Sequence, residues 1–203
     1  MSAYAELCAR TEAVVVGASA GGVQALSRLL PALPAGTKAS VCVVLHLPRD
    51  RPSLVVEVFS RKCALAVSEA QDKEPVAPGT VYFAPPNYHL LIDRGPQLAL
   101  SADEPVHHSR PSIDVLFESA AEVYRDRLLG VILTGANEDG AAGLAAVHDA
   151  GGVTVIQEPR TAQSSLMVLA ALQRRSPDLV LPLPKIAELF GSLTHCAAPW
   201  RTA

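Results

Sequence analysis

Three polar side chains of this sequence could together perform nucleophilic chemistry: Ser19, His46 and Asp139. Each stands at or just past the end of an apolar run, in the segments VVVGASAGG, VCVVLHLP and GVILTGANEDG. A serine hydroxyl becomes a nucleophile when a histidine takes its proton, and the histidine needs a carboxylate that fixes its tautomer. Because the carboxyl ends of neighbouring parallel strands meet at one edge of an open sheet, we expect these side chains to converge there.

The glycine-rich corner around Ser19 allows three interpretations. The order Gly17-x-Ser19-x-Gly21 is the nucleophile-elbow pattern, in which small neighbours let the chain turn sharply and expose the hydroxyl. A phosphate-binding loop is disfavoured, because Ser19 takes the place of the second fingerprint glycine and no Gly-Lys-Ser/Thr follows. A plain structural turn stays open. His46 alone could be a buried histidine bonded to backbone, and Asp139 alone could cap a helix, so their joint placement favours the nucleophile.

Composition limits the class of protein. The chain has 203 residues, of which 49% are hydrophobic and 18% charged, which suits one folded core. A net charge of -3 disfavours nucleic acid as a partner. The scattered cysteines, without a C-x-x-C spacing, predict neither a zinc site nor a disulfide framework and indicate a reducing, cytoplasmic setting. No signal peptide is recognisable and no apolar stretch approaches the ~18 residues of a membrane span, so we expect a protein that is not membrane-embedded.

Strands and helices alternate along most of the chain. The pattern predicts strands at 13–19, 40–47, 64–70, 79–85, 128–135, 152–157 and 179–183, and helices at 22–33, 53–61, 113–126, 139–150, 164–174 and 184–193. Two further strands, 88–93 and 97–101, are joined by a Gly95-Pro96 turn and predict an antiparallel hairpin insert. Ser112 is the predicted N-cap of the helix that follows it. The expected fold class is α/β, a doubly wound, mostly parallel, Rossmann-like three-layer sheet with that hairpin.

Five segments together resemble the catalytic domain of CheB, the chemotaxis receptor methylesterase, from about residue 12 to about residue 192. These segments are VVVGASAGGVQAL, VVLHLP, PGTVYFAPPNYHLLI, RPSIDVLFESAA and GVILTGANEDGAAGLAAVHDAGG. The resemblance implies a catalytic domain over residues 12–193, an N-terminal lead over 1–11 and a C-terminal tail over 194–203. It also implies that the receiver domain of full-length members is not among these residues.

The resemblance implies an activity and a set of site residues. The family hydrolyses glutamate methyl esters on chemoreceptor helices, releasing methanol, and can deamidate receptor glutamines. Carried over by motif, the nucleophile falls on Ser19, the base on His46 and the orienting carboxylate on Asp139. Backbone N–H groups at Ala20 and Ala136 would hold the oxyanion, and no metal or organic cofactor is implied. The alternative is a chemosensory signalling or binding module with the same fold and little esterase activity.

The sequence departs from the family pattern close to the site. Ala20 stands where the family commonly has threonine, and TGANEDG replaces TGMGxDG, so that Ala136, Asn137 and Glu138 differ. An N–H donor at residue 136 needs no side chain, whereas Glu138 adds negative charge beside Asp139. Asn137 and Glu138 are otherwise expected to lie in a solvated loop.

Expected partners follow from the same resemblance. They are the cytoplasmic helices of methylated chemoreceptors and, in place of an attached receiver domain, a separate response-regulator receiver protein. Arg110, in the polar loop 103–111, either contacts a receptor carboxylate or only supports its own loop. The remaining histidines show no metal-ligand spacing, so we expect no metal site.

Overall fold

The first strand explains how the sheet is built. The computed structural model describes residues 10–47 and 54–193, and in it β1 (Ala13–Ala18) is buried along its whole length. Val14 and Val16 pack into one hydrophobic cluster, whereas Val15 packs into a second cluster on the other face. A strand covered on both faces has no solvent side, which is why its sequence reads as a continuous β-branched run.

The strands form one seven-stranded sheet and one separate hairpin. In chain order the other strands are β2 (Ser40–Leu45), β3 (Ala66–Glu69), β4 (Thr80–Phe83), β5 (His89–Asp93), β6 (Gln97–Ser101), β7 (Leu128–Ile132), β8 (Val153–Gln157) and β9 (Leu179–Leu181). The sheet order is β3-β4-β2-β1-β7-β8-β9, and all pairs in it are parallel. β5 and β6 pair antiparallel. The chain therefore leaves β1 toward β2 on one side and later returns to β7 on the other.

Helices cover both faces of the sheet. They are α1 (Gly22–Leu29), α2 (Val55–Ser60), α3 (Ile113–Tyr124), α4 (Ala141–Asp149), α5 (Leu166–Arg174) and α6 (Leu183–Gly191). Side chains of α1, α2 and α6 share the cluster that holds Val14, among them Leu26 and Phe190. Side chains of α3, α4 and α5 share the other cluster with the hairpin, among them Phe117 and Val147. The result is a three-layer sandwich with two separate cores.

The predicted fold class is confirmed: the sheet is doubly wound and parallel, and the hairpin lies outside it. The predicted elements all occur, most of them with shorter bounds, although β6 has the predicted bounds and α6 begins one residue earlier than predicted. The helix expected over 22–33 ends at Leu29, before a 3₁₀ turn, Leu30–Ala32, that contains Pro31. Most of the predicted lead, the predicted tail and the first residue of the helix expected at 53–61 lie outside the described residues. Within the described ranges, each helix falls short of the length and apolarity that crossing a bilayer requires.

Gly17 lets α3 approach β1 closely. A Cβ atom added at Gly17 would lie 2.4 Å from Cγ2 of Ile113, the first residue of α3. Ile113 is itself completely buried. This glycine, the last residue but one of β1, therefore sets how near the N-terminus of α3 comes to the sheet.

The substitution Gly17→Ala tests this close approach. We expect it to lower the free energy of unfolding by about 1–3 kcal/mol, because the new methyl group overpacks the contact with Ile113. Urea unfolding of the substituted and parent proteins measures the difference. Gly36→Ala is the matched control, since nothing lies within 4 Å of a Cβ at Gly36. Equal losses from the two substitutions would contradict the packing argument.

Candidate active site

Ser19 and His46 follow paired positions of two adjacent strands. Ala18 pairs with Leu45 in the parallel register of β1 and β2, and the next residues along are Ser19 and His46. The His46 N–H donates to the Ala18 carbonyl at 3.0 Å, and the Ser19 N–H donates to the Thr134 carbonyl at 3.0 Å. Neighbouring strands lie about 4.8 Å apart, so both side chains start from adjacent points on the sheet edge. The topological switch point, where open α/β sheets bind ligands, lies on the same edge between β1 and β7.

The turn after Ser19 depends on a glycine in a left-handed conformation. Gly21 has φ of 82°, and α1 begins at the next residue. A Cβ at Gly21 would also lie 2.7 Å from Oε1 of Gln163. The Ser19 carbonyl accepts the N–H of Gly22 at 2.7 Å, which closes the turn. Ser19 is half-buried, and its hydroxyl makes no hydrogen bond to any residue that the structure describes.

Asp139 accepts hydrogen bonds from the start of α3. Its carboxylate, completely buried, accepts the Ile113 N–H at 2.7 Å, the Asp114 N–H at 3.0 Å and the Ser112 hydroxyl at 2.8 Å. Ser112 does occupy the N-cap position, but the prediction that its side chain caps the helix is wrong. Its hydroxyl donates to Asp139 instead, and Asp139 supplies the acceptors that the helix start needs.

The same carboxylate is bonded to His46. Nε2 of His46 lies 2.9 Å from Oδ2 of Asp139. Burial would raise the pKa of Asp139, but hydrogen bonds from His46, the Ile113 and Asp114 N–H groups and Ser112 outweigh it and lower the pKa. An ionised carboxylate can only accept, so Nε2 carries the ring proton and Nδ1 keeps a lone pair. Nδ1 is therefore the ring nitrogen of His46 that can accept a proton.

A second buried carboxylate, Asp114, serves the start of α4. Its Oδ1 accepts the Gly140 N–H at 3.0 Å and the Gly143 N–H at 2.6 Å. Its pKa is raised to about 6, mainly by burial and further by the negative charge of Asp139, although the Gly143 hydrogen bond acts in the opposite direction. Asp139 therefore caps α3, while Asp114 of α3 caps α4, and the two helix starts are held against each other.

Two backbone N–H groups, on the turns that follow β1 and β7, have no acceptor among the described residues. Those of Ala20 and Ala136, the two expected oxyanion donors, bond to no other residue of the described ranges. Thr134 holds the two segments together, because its hydroxyl lies 2.8 Å from the Ala20 carbonyl and accepts the Ser164 N–H at 2.9 Å. Sequence reasoning did not single out Thr134, although it stands in the same TGANEDG motif.

Asn137 lies next to Nδ1 of His46, the ring nitrogen that Asp139 does not contact. Its Nδ2 is 3.4 Å from Nδ1 of His46 and 3.3 Å from the hydroxyl of Ser109. The expectation that Asn137 belongs to a solvated loop is wrong, because the residue is half-buried and contacts the base. Its position two residues before Asp139, on the same turn, was the available signal.

Arg110 supports its own loop. Its Nη1 donates to the carbonyls of Ala102 at 2.7 Å and Asp103 at 2.9 Å, while its Nε is buried without a partner among the described residues. Arg110 also lines a small cleft with Leu45 and Leu47, the neighbours of His46 in sequence. The guanidinium therefore lies beside the site with part of its donor capacity unused.

A cavity of about 370 Å³ lies beside Glu138, the residue before Asp139. Its walls include Asp114, Glu138 and Arg174. His107 bridges the two acids there, 3.5 Å from Asp114 and 3.3 Å from Glu138. No group of three or more histidine, cysteine, aspartate or glutamate side chains in the described part of the chain is arranged to hold a metal ion.

Comparison with known proteins identifies the family. The model of the CheB methylesterase family matches residues 14–190. The chain belongs to the CheB methylesterase family. A protein of Leptospira interrogans is 48% identical over 179 residues, which cover 88% of this chain and 93% of that protein. The resemblance seen in the sequence motifs is therefore confirmed.

Other relatives give the fold and the length relationship. The crystal structure of the Thermotoga maritima CheB methylesterase catalytic domain has a TM-score of 0.86 and 32% identity, covering 90% of this chain and 98% of that one. A protein-glutamate methylesterase/protein-glutamine glutaminase of Symbiobacterium thermophilum is 39% identical over 86% of this chain but only 48% of its own length. The chain thus spans about half of that relative and nearly all of the Leptospira one.

The raised pKa of Asp114 predicts a pH-dependent stability difference. The pKa of Asp114 is about 6 in the folded protein, above its ordinary value of 3.8. The protonated carboxyl therefore contributes its full stabilisation only below about pH 4, and this contribution is lost as the pH rises through about 6. The carboxamide introduced by Asp114→Asn cannot ionise but keeps an acceptor for the N–H groups of Gly140 and Gly143. We therefore expect the stability of Asp114→Asn, relative to the parent, to rise by up to about 3 kcal/mol between pH 4 and pH 7.

Urea unfolding at several pH values measures this difference. Asp126→Asn, a substitution of an exposed aspartate, is the control and should show no such trend. If the free energy of unfolding of Asp114→Asn and of the parent changed equally with pH, the argument that ionised Asp114 destabilises the fold would be contradicted.

Proposed function

We propose that this chain is a protein-glutamate methylesterase and protein-glutamine glutaminase that acts on chemoreceptors. The observation that carries the proposal is the His46–Asp139 hydrogen bond at the strand end adjacent to Ser19. A serine, a histidine whose second ring nitrogen carries a lone pair and a carboxylate that fixes its tautomer are the groups that acyl transfer needs. Relatives that carry these activities in their names support the substrate class.

In the first half of the reaction, Ser19 Oγ attacks the carbonyl carbon of the methyl ester. Nδ1 of His46 takes the serine proton, and Asp139 stabilises the resulting imidazolium through Nε2. Collapse of the tetrahedral intermediate breaks the bond to the methoxy oxygen, which receives the proton from Nδ1 and leaves as methanol. The glutamyl group is then an ester of Ser19.

In the second half, water replaces the alcohol. His46 takes a proton from water, the hydroxide attacks the acyl carbon, and collapse returns the proton to Ser19 Oγ as glutamate leaves. In both halves the N–H groups of Ala20 and Ala136 would receive the developing oxyanion. Donors that are already in place when the charge develops contribute ~2.7–4 kcal/mol each in comparable sites.

The partners and location belong to the same proposal. The substrate is a methylated side chain on a chemoreceptor helix, and a separate response-regulator receiver protein would regulate the reaction. The chain would act in the cytoplasm, and the free thiols Cys42 and Cys63 suit a reducing compartment. Arg110 would offer the guanidinium N–H groups that its loop leaves exposed to a receptor carboxylate while Nη1 holds the loop.

Substitution of any of the three residues should strongly reduce methanol release from membranes that carry the cognate methylated receptor. Ser19→Ala and His46→Ala should each remove nearly all activity, and the double variant should be little worse, because the two groups act as a unit. Asp139→Asn should reduce kcat by roughly 10²–10⁴-fold, because the amide leaves His46 in the wrong tautomer.

Two substitutions outside the site serve as controls. Ser68→Ala in β3 and His148→Ala at the far end of α4 should retain activity. Additive losses from Ser19→Ala and His46→Ala would argue against a shared step. No methanol release from the parent protein would refute the proposed function itself.

A further inference from the structure

Asn137 carries an acceptor that nothing in the resting site uses. Its Oδ1 is buried and has no hydrogen-bond partner in the described part of the structure. A buried acceptor without a donor costs free energy. Since Asn137 lies at the edge of the site, a ligand is the natural source of the missing donor.

The orientation of the Asn137 amide follows from His46. Nε2–H of His46 donates to Asp139, so Nδ1 presents a lone pair, and a lone pair needs a donor opposite it. The amide nitrogen faces Nδ1 at 3.4 Å and Ser109 Oγ at 3.3 Å. The carbonyl oxygen of Asn137 is therefore the unsatisfied end of the side chain.

The leaving group must lie beside this amide. In the proposed reaction, which this inference rests on, the leaving group takes its proton from Nδ1 of His46. Any group in that position is adjacent to the Asn137 head group, which is itself within 3.4 Å of Nδ1. The two substrates differ there: the carboxamide of glutamine has N–H donors, whereas a methyl ester has none.

We propose that Asn137 is a specificity-determining residue, whose Oδ1 accepts a hydrogen bond from the –NH₂ group of a glutamine substrate and thereby favours deamidation over ester hydrolysis. The chemistry of the step is otherwise that of the ester. Ser19 Oγ bonds to the carboxamide carbon, and its proton goes to Nδ1. The C–N bond breaks, the departing nitrogen takes that proton and leaves as ammonia, and water completes the hydrolysis to glutamate. Oδ1 holds the nitrogen while its third hydrogen arrives from His46.

The test compares two forms of the same receptor. One form carries methylated glutamates, and the other carries glutamines at the same positions. Methanol and ammonia release are measured in parallel to obtain kcat/KM for each form. Asn137→Ala should lower the ratio of glutaminase to methylesterase activity by roughly threefold to tenfold, the value of one hydrogen bond. Asn137→Gly carries the same expectation and decides the matter if the alanine variant does not fold.

Matched variants separate recognition from positioning. Asn137→Asp keeps an acceptor and should retain the parent ratio, because its charge acts on His46 equally with either substrate. Glu138→Gln, next in the chain, should leave the ratio unchanged. If Asn137→Ala lost both activities equally, or left both activities unchanged, this inference would be overturned but the proposed function would stand. A parent protein that releases neither product would refute the proposed function and this inference with it.

Discussion

The site depends on a reciprocal arrangement of two helix starts. Asp139, on the turn before α4, accepts the first N–H groups of α3, and Asp114, in the first turn of α3, accepts N–H groups at the start of α4. Each carboxylate lies at the positive end of a helix dipole. The helix N-terminus stabilises the buried negative charge, and the carboxylate supplies acceptors for the first N–H groups of the helix. The close contact of Ile113 with Gly17 then fixes this pair of helices against β1. Asp139 is thereby held rigidly beside His46.

The two carboxylates end with opposite shifts in pKa, although both are buried. Asp139 receives donors on both oxygens, including a histidine and a hydroxyl, and its pKa is lowered. Asp114 receives backbone donors on one oxygen only, and its pKa is raised to about 6. Burial acts on both pKa values in the same direction, so the difference follows from the additional donors to Asp139 and from the negative charge of Asp139, which raises the pKa of Asp114 further. It keeps Asp139 ionised, which in turn fixes the tautomer of His46.

The use of the two nitrogens of His46 is the reverse of that in the trypsin-like triad, where the carboxylate binds Nδ1 and the serine faces Nε2. In this chain the carboxylate binds Nε2, so the proposed base is Nδ1. The reversal suits the topology, because His46 and Ser19 leave adjacent parallel strands at the same level while Asp139 approaches from beyond β7. It also leaves Nδ2 of Asn137 3.4 Å from Nδ1, the proposed base.

The sequence by itself determined the doubly wound fold, since continuous β-branched runs and the glycine corner after β1 leave few alternatives. It also determined that Ser19, His46 and Asp139 would reach the same edge, because strand ends of a parallel sheet share it. The tertiary structure alone decided how they are used. That Ser112 donates to Asp139 instead of capping α3, that Nε2 of His46 faces Asp139, and that Asn137 turns inward all depend on contacts between residues far apart in the chain. Local patterns record propensity and burial, but a hydrogen bond between two turns exists only once the layers have packed.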